Sequence, residues 1–237
     1  MENQNARLPE NMGISVAEVL NHAIRFAQTK NGIVLTLLSV AFSFLYVILA
    51  GLLEDNSDSE IIMRMAEERD YGALMSFYGK SCLTFKNLLF SCLSLIWSVG
   101  IYRSVIWLVK GERDEISLDA WKFTPVQYLK LLAVNYLSAI AVALGLSFCV
   151  IPGIFLSVRL LLVVLYMVDN PETSISEAFS ASWNMTKGYF WDLFILGIVS
   201  VLVVLAGLLL CCVGVFFSMV IMYFMLSIVY VVLYRKL

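Results

Sequence analysis

Charge is what this chain has least of. Acidic and basic residues together fill 14% of its 237 positions, against about 25% in soluble domains. Too few polar side chains remain to cover a globule in water, so a soluble fold is excluded. There is one histidine, His22, and the five cysteines contain no Cys-x-x-Cys pair. That removes the usual ligand spacing for zinc and for a dithiol redox centre. A net charge of −2 leaves no basic footprint for nucleic acid. No Ser/His/Asp set and no glycine-rich phosphate loop is present, so catalysis, a metal and a cofactor are not expected.

What is present is apolar: 61% of the residues, gathered into runs. A bilayer needs about 20 apolar residues per helix, and runs of roughly that length fall at 33–53, 88–109, 128–150, 153–168, 191–210 and 213–234. The first exceeds the ~7–15 residues of a signal-peptide core and reads as a retained span. The expected fold class is all-α, a polytopic membrane helical bundle of six transmembrane helices.

The segments between runs are patterned. Ser15-Val16-Ala17-Glu18 has the form of a capping box, with Ser15 accepting from the Glu18 amide. Val16, Val19, Leu20, Ala23, Ile24 and Ala27 then follow at helical spacing, giving one apolar stripe. Such a helix, within the segment 1–31, is expected to lie in the membrane interface. Asp114–Trp121 is a second surface segment, halted near Pro125, and Ser174 to about Lys187 is a third. Residues 54–87 form the one sizeable polar insertion, rich in acidic residues and partly helical by pattern.

Shifting the first surface helix by 159 places Ser15 on Ser174 and Glu18 on Glu177. The stripe residues then fall on Ile175, Ala178, Phe179, Ser182, Trp183 and Thr186. Asp119-Ala120-Trp121 matches Glu177-Ala178-Phe179 more weakly. The implied plan is three units, each a surface helix followed by a transmembrane hairpin. An even number of spans puts both ends on one side. With the ends inside, ten Lys/Arg are cytoplasmic: Arg7, Arg25, Lys30, Lys110, Arg113, Lys122, Lys130, Lys187, Arg235 and Lys236. Four lie outside (Arg64, Arg69, Lys80 and Lys86), and the turns near Pro152 and Cys211 carry none. By the positive-inside rule the N- and C-termini are cytoplasmic and 54–87 is extracytoplasmic.

Two arginines fall within apolar runs. Arg159 lies ten residues before Asp169, roughly mid-span. An ionisable group there reads as an anion or lipid-headgroup contact, or as a residue bonded to carbonyls, hydroxyls and amides of neighbouring spans. Arg103 precedes Lys110 by seven residues, close enough to snorkel to the interface. If both faced one cavity they would make a positive site for phosphate groups. Asp169 either accepts from Arg103 or closes the fourth span with Asn170-Pro171, and Asp192 suits the first turn of the fifth. Cys82, Cys149, Cys211 and Cys212 approach the outer face, as a disulfide or as small apolar residues. Ala139-x-x-x-Ala143 and Ala141-x-x-x-Gly145 are small-residue faces for close packing or a dimer. Glu67-Glu68-Arg69 sits in a polar loop with no second ligand inside a span.

Over about 150–194 the chain carries Ile151-Pro152-Gly153, an arginine-bearing fourth span, Ser174-x-x-Glu177-Ala178-Phe179 and Tyr189-Phe190-Trp191-Asp192-Leu193. Here it resembles a broad family of bacterial six-span proteins related to the membrane-anchor domain fused to some glycerophosphoryl diester phosphodiesterases. The resemblance implies an all-helical domain of the bacterial inner membrane and transfers no catalytic residue. The expected role is a non-catalytic component acting in envelope organisation or in binding membrane lipids, a protein partner or a second copy. The alternative is a transporter or lipid-handling protein in which Arg159, with Arg103, contacts an anionic group.

Overall fold

A computed structural model describes residues 8–9, 12–53, 67, 85–209 and 212–237. Every regular element among them is helical: α1 Val16–Ala27, α2 Lys30–Leu53, α3 Phe85–Lys110, α4 Pro125–Phe148, α5 Val150–Leu160, α6 Val163–Asp169, α7 Ile175–Met185, α8 Phe190–Leu209 and α9 Cys212–Tyr234. A short 3₁₀ turn, Leu118–Trp121, precedes α4. Six stretches among the described residues are long and apolar enough to cross a bilayer, α5 and α6 together supplying one of them. Leu37, Phe44, Leu137, Ile140, Val201 and Leu205 stand exposed along these helices, the pattern of a surface solvated by lipid. The protein is a multi-pass helical membrane protein.

The chain divides into two compact units. The smaller, Leu38–Ile96, contains the later part of α2 and the start of α3. There the Tyr46 ring packs on Phe90 at 5.1 Å and on Phe42 at 6.2 Å. Nearly all of the polar insertion, including Glu68 and Arg69, lies outside the described residues, as do Cys82 and Cys211.

The larger unit, Met1–Leu37 with Trp97–Leu237, holds the other helices. Its α4–α5 hairpin turns at Cys149, whose backbone is extended. The sequence places that tip at Ile151-Pro152-Gly153, but all three residues lie inside α5. Proline fits a first helical turn, where its missing N–H would have no intrahelical partner. Gly153 then lies flat against α4, where a Cβ would come within 2.7 Å of the Leu146 amide nitrogen. Gly145 faces this contact, against Gly153 and Leu156; Ala141 is half-buried, while Ala139 and Ala143 are exposed.

The fourth span is one run in the sequence and two helices in the structure, parted at Leu161–Leu162. Ser182 of α7 donates its hydroxyl to the Arg159 carbonyl at 2.7 Å. In an unbroken helix that oxygen would accept from the Val163 amide. A side chain entering the i→i−4 ladder is an established cause of kinks.

Each surface segment packs on a span. Helix α1 buries Val19, Ala23, Phe26 and Ala27 against α9, with Phe26 stacked on Phe224 at 5.4 Å. Helix α7 buries Ala178, Ala181, Ser182 and Met185 against α6 and α5. The middle segment is only the 3₁₀ turn, and its Trp121 indole lies directly on Gly100 of α3. It has no room to lengthen, because Thr124 and Gln127 cap α4 reciprocally from three residues on. Of the two caps read from the sequence, Ser174 accepts from the Glu177 amide at 3.3 Å. Ser15 occupies its N-cap position without a side-chain bond.

Candidate functional site

Arg159 is carried at the end of α5, and its guanidinium reaches the last turn of α7. Nη1 donates to the Trp183 carbonyl and to Thr186 Oγ1, both at 3.3 Å. Helix carbonyls at a C-terminus are short of donors and carry the negative end of the dipole, so a cation is well placed there. The Phe155 and Trp183 rings each lie 5.1 Å from the guanidinium carbon. Phe155 in turn contacts Phe190, the first residue of α8, at 5.4 Å. By residue count Arg159 is mid-span, yet its head group sits where a surface helix hands over to the next span. Its Nε is buried and has no acceptor. An unmet buried donor costs about 1–3 kcal/mol, more when charged.

Arg103 goes elsewhere. Its Nη1 donates to the Lys122 carbonyl at 3.2 Å, and its guanidinium lies over Phe123 at 4.4 Å and Trp107 at 4.9 Å. Among the described residues no hydrogen bond or ring contact joins Arg103 to Arg159. Arg103 ties α3 to the segment leading into α4, and Arg159 ties α5 to α7.

Asp169 pairs with Lys110, not with Arg103. Lys110 Nζ lies 2.7 Å from both carboxylate oxygens, and the buried Tyr230 donates its hydroxyl to Oδ2 at 2.7 Å. The Asp169 side chain is 7% exposed and that of Lys110 19%. Tyr234 completes the group, its ring 5.1 Å from Lys110 Nζ and 6.2 Å from the Tyr166 ring. The ends of α3, α6 and α9 are thereby clamped together. One signal of this cluster is in the sequence: a tyrosine inside an apolar run needs a hydroxyl partner when buried. Its identity is not.

The turn before α4 carries a second charge cluster. Asp119 accepts from Lys122 Nζ at 2.7 Å, Arg113 Nη1 at 2.9 Å and Ser117 Oγ at 3.0 Å. These bonds, that from Lys122 foremost, hold its carboxyl well below the usual carboxylate range. A depressed folded value stabilises above the unfolded value of about 3.9 and is lost as pH falls through the folded one. Tryptophan emission in purified protein should therefore stay flat on acidification from pH 7 to about 4. A transition centred near the free value of about 3.9, and absent in Asp119→Asn, would show that these bonds do not hold.

Cys92 and Cys149 are free thiols, and Asp192 lies in the first turn of α8. The fold and these contacts define a polytopic α-helical membrane protein whose charged side chains tie one helix to the next. No family model matches the chain, and no curated protein and no solved structure does either.

Proposed function

We propose that the protein is a non-catalytic module of the bacterial inner membrane, with both termini cytoplasmic, that organises membrane lipids and binds a partner or a second copy through its cytoplasmic face. The observation that carries this reading is where the charges of the larger unit go. Arg103, Arg159 and the Lys110–Asp169 pair each join separate helices. They hold a scaffold in place and do not line up as an acid–base set. The positive-inside asymmetry supports the orientation. The resemblance over 150–194 supports the bacterial membrane.

The same reading includes the three-unit plan. Each surface segment docks on the second span of another unit, at one recurring point. Trp121 meets Gly100, ten residues before the end of α3 (110 − 100), and the α7 terminus meets Arg159, ten before the end of α6 (169 − 159). Phe26 meets Phe224, ten before the end of α9 (234 − 224). Those three helix ends are the ones that Lys110, Asp169 and Tyr234 draw together.

Reconstitution tests the function. Liposomes containing the full chain should hold a trapped anionic dye and a one-sided fluorescent phospholipid as long as protein-free liposomes do. Dye release or lipid flipping that scales with protein and vanishes in Arg159→Ala would overturn the scaffold reading in favour of a transporter or lipid-handling protein.

A further inference from the structure

We infer that Arg159 binds a phosphate group, through the edge of its guanidinium formed by Nε and Nη2. The inference rests on the three-unit membrane reading above and assigns a ligand class to one point in it.

The first argument is the state of the guanidinium. Nη1 is fully engaged by Trp183 and Thr186. Nε is buried without an acceptor, and Nη2 makes no hydrogen bond among the described residues. No carboxylate there pairs with Arg159. Nε and Nη2 carry two parallel N–H bonds, the pair that grips a phosphate in bidentate fashion. The contacts that fix Nη1 leave that edge oriented and chemically unspent. Because Nε is covered, an incoming oxygen displaces a side chain. Trp183, 42% exposed and lying over the guanidinium, has room to move.

The second argument compares equivalent points. At the first docking point the contact is apolar, Phe26 stacked on Phe224; at the middle one an indole lies on Gly100, and Arg103 reaches the neighbouring Lys122 carbonyl. Docking a surface segment on a span therefore needs no cation. Arg159 lies deeper in its span than Arg103, ten residues from the span's end (169 − 159) against seven (110 − 103). Unlike Arg103 it leaves a buried Nε without an acceptor, at the cost of a charge inside an apolar run.

The third argument is location. The site adjoins the α7–α8 junction, where Lys187 is exposed and Trp191 is 69% exposed. Tryptophan and tyrosine concentrate at the headgroup level of a bilayer. A phospholipid phosphodiester is the phosphate present at that level, and a free phosphate anion offers the same oxygens.

The test uses the full chain, delipidated in a neutral detergent and titrated with short-chain phosphatidylglycerol, inorganic phosphate or a diacylglycerol of equal chain length. Thermal shift and native mass spectrometry read binding. Wild type should bind phosphatidylglycerol and not diacylglycerol. Arg159→Gln should bind it roughly 10-fold more weakly or worse, and Arg103→Gln should match wild type. Inorganic phosphate that competes at the site makes the free anion a ligand; failure to compete confines the site to headgroups. Both outcomes support the site. Equal phosphatidylglycerol binding by wild type and Arg159→Gln, or equal binding of diacylglycerol, overturns it. If Arg159→Gln does not fold, Arg159→Lys keeps the charge and loses the paired edge. It should bind several-fold more weakly, and an unchanged affinity overturns the inference. Binding here and flux in liposomes are separate readouts, so either reading can fail alone.

Discussion

Asp169→Ala is expected to lower stability by about 3–5 kcal/mol, the cost of breaking a buried ion pair by removing one partner. Three helix ends depend on this carboxylate. With it gone, Lys110 keeps a charge in a setting where it is 19% exposed, and the fully buried Tyr230 hydroxyl loses its acceptor. Low exposure is why the penalty should approach the buried limit and exceed the ~0–1 kcal/mol typical of surface pairs. The sign reverses if the whole group is made apolar. Lys110→Met with Asp169→Leu and Tyr230→Phe leaves no orphaned polar atom. The triple variant should recover most of the loss, because desolvating the pair offsets much of its attraction. Reversible unfolding of the full chain in mixed micelles, followed by circular dichroism, measures both. A single variant within about 0.5 kcal/mol of wild type would mean that water reaches the pair and screens it.

That cluster also marks the limit of what the sequence discloses. The apolar runs are long enough to be read as spans one by one, since each is a local property of about 20 residues. The helix stops are legible too. Gly111, with φ of 74°, closes α3, and the Glu112 amide bonds back to the Trp107 carbonyl at 2.9 Å, the geometry glycine favours after a helix. Ser174 caps α7 where its spacing to Glu177 predicts. What escapes is set at a distance. Lys110 finds Asp169 across 59 positions, and Tyr230 finds it across 61. The break in the fourth span comes from a hydroxyl 23 residues further along. Nothing near Leu161–Leu162 announces it: no proline, no glycine, no polar pair. The hairpin tip is misplaced because Ile151-Pro152-Gly153 has turn chemistry that fits a first helical turn equally well. Arg159 is legible as an anomaly, and its partners on α7 are not.

Gly100→Val is the second large effect, an expected loss of about 1–3 kcal/mol from overpacking. Glycine inside a helix costs about 1 kcal/mol relative to alanine, so its presence in α3 calls for a compensating contact. That contact is Trp121: a Cβ on Gly100 would fall within the indole ring. The ring cannot retreat easily. Trp97, one turn before Gly100 on α3, packs against the indole at 6.0 Å, and the Tyr128 hydroxyl holds the Trp121 carbonyl at 2.7 Å. An α-helical backbone gives little, so valine at position 100 must expel the indole. The 118–122 segment moves with it, and Arg103 loses its acceptor on Lys122. The cycle that isolates this mechanism places Gly100→Val in a Trp121→Ala background. There the added methyl groups enter space the indole has left, and the second substitution should cost about 0.5 kcal/mol or less. An equal cost in both backgrounds would locate the damage within α3 itself. A collapse of the cost in the double variant would show that the damage runs through the indole, which with the Arg103 bond to Lys122 fastens the four-residue middle segment to α3.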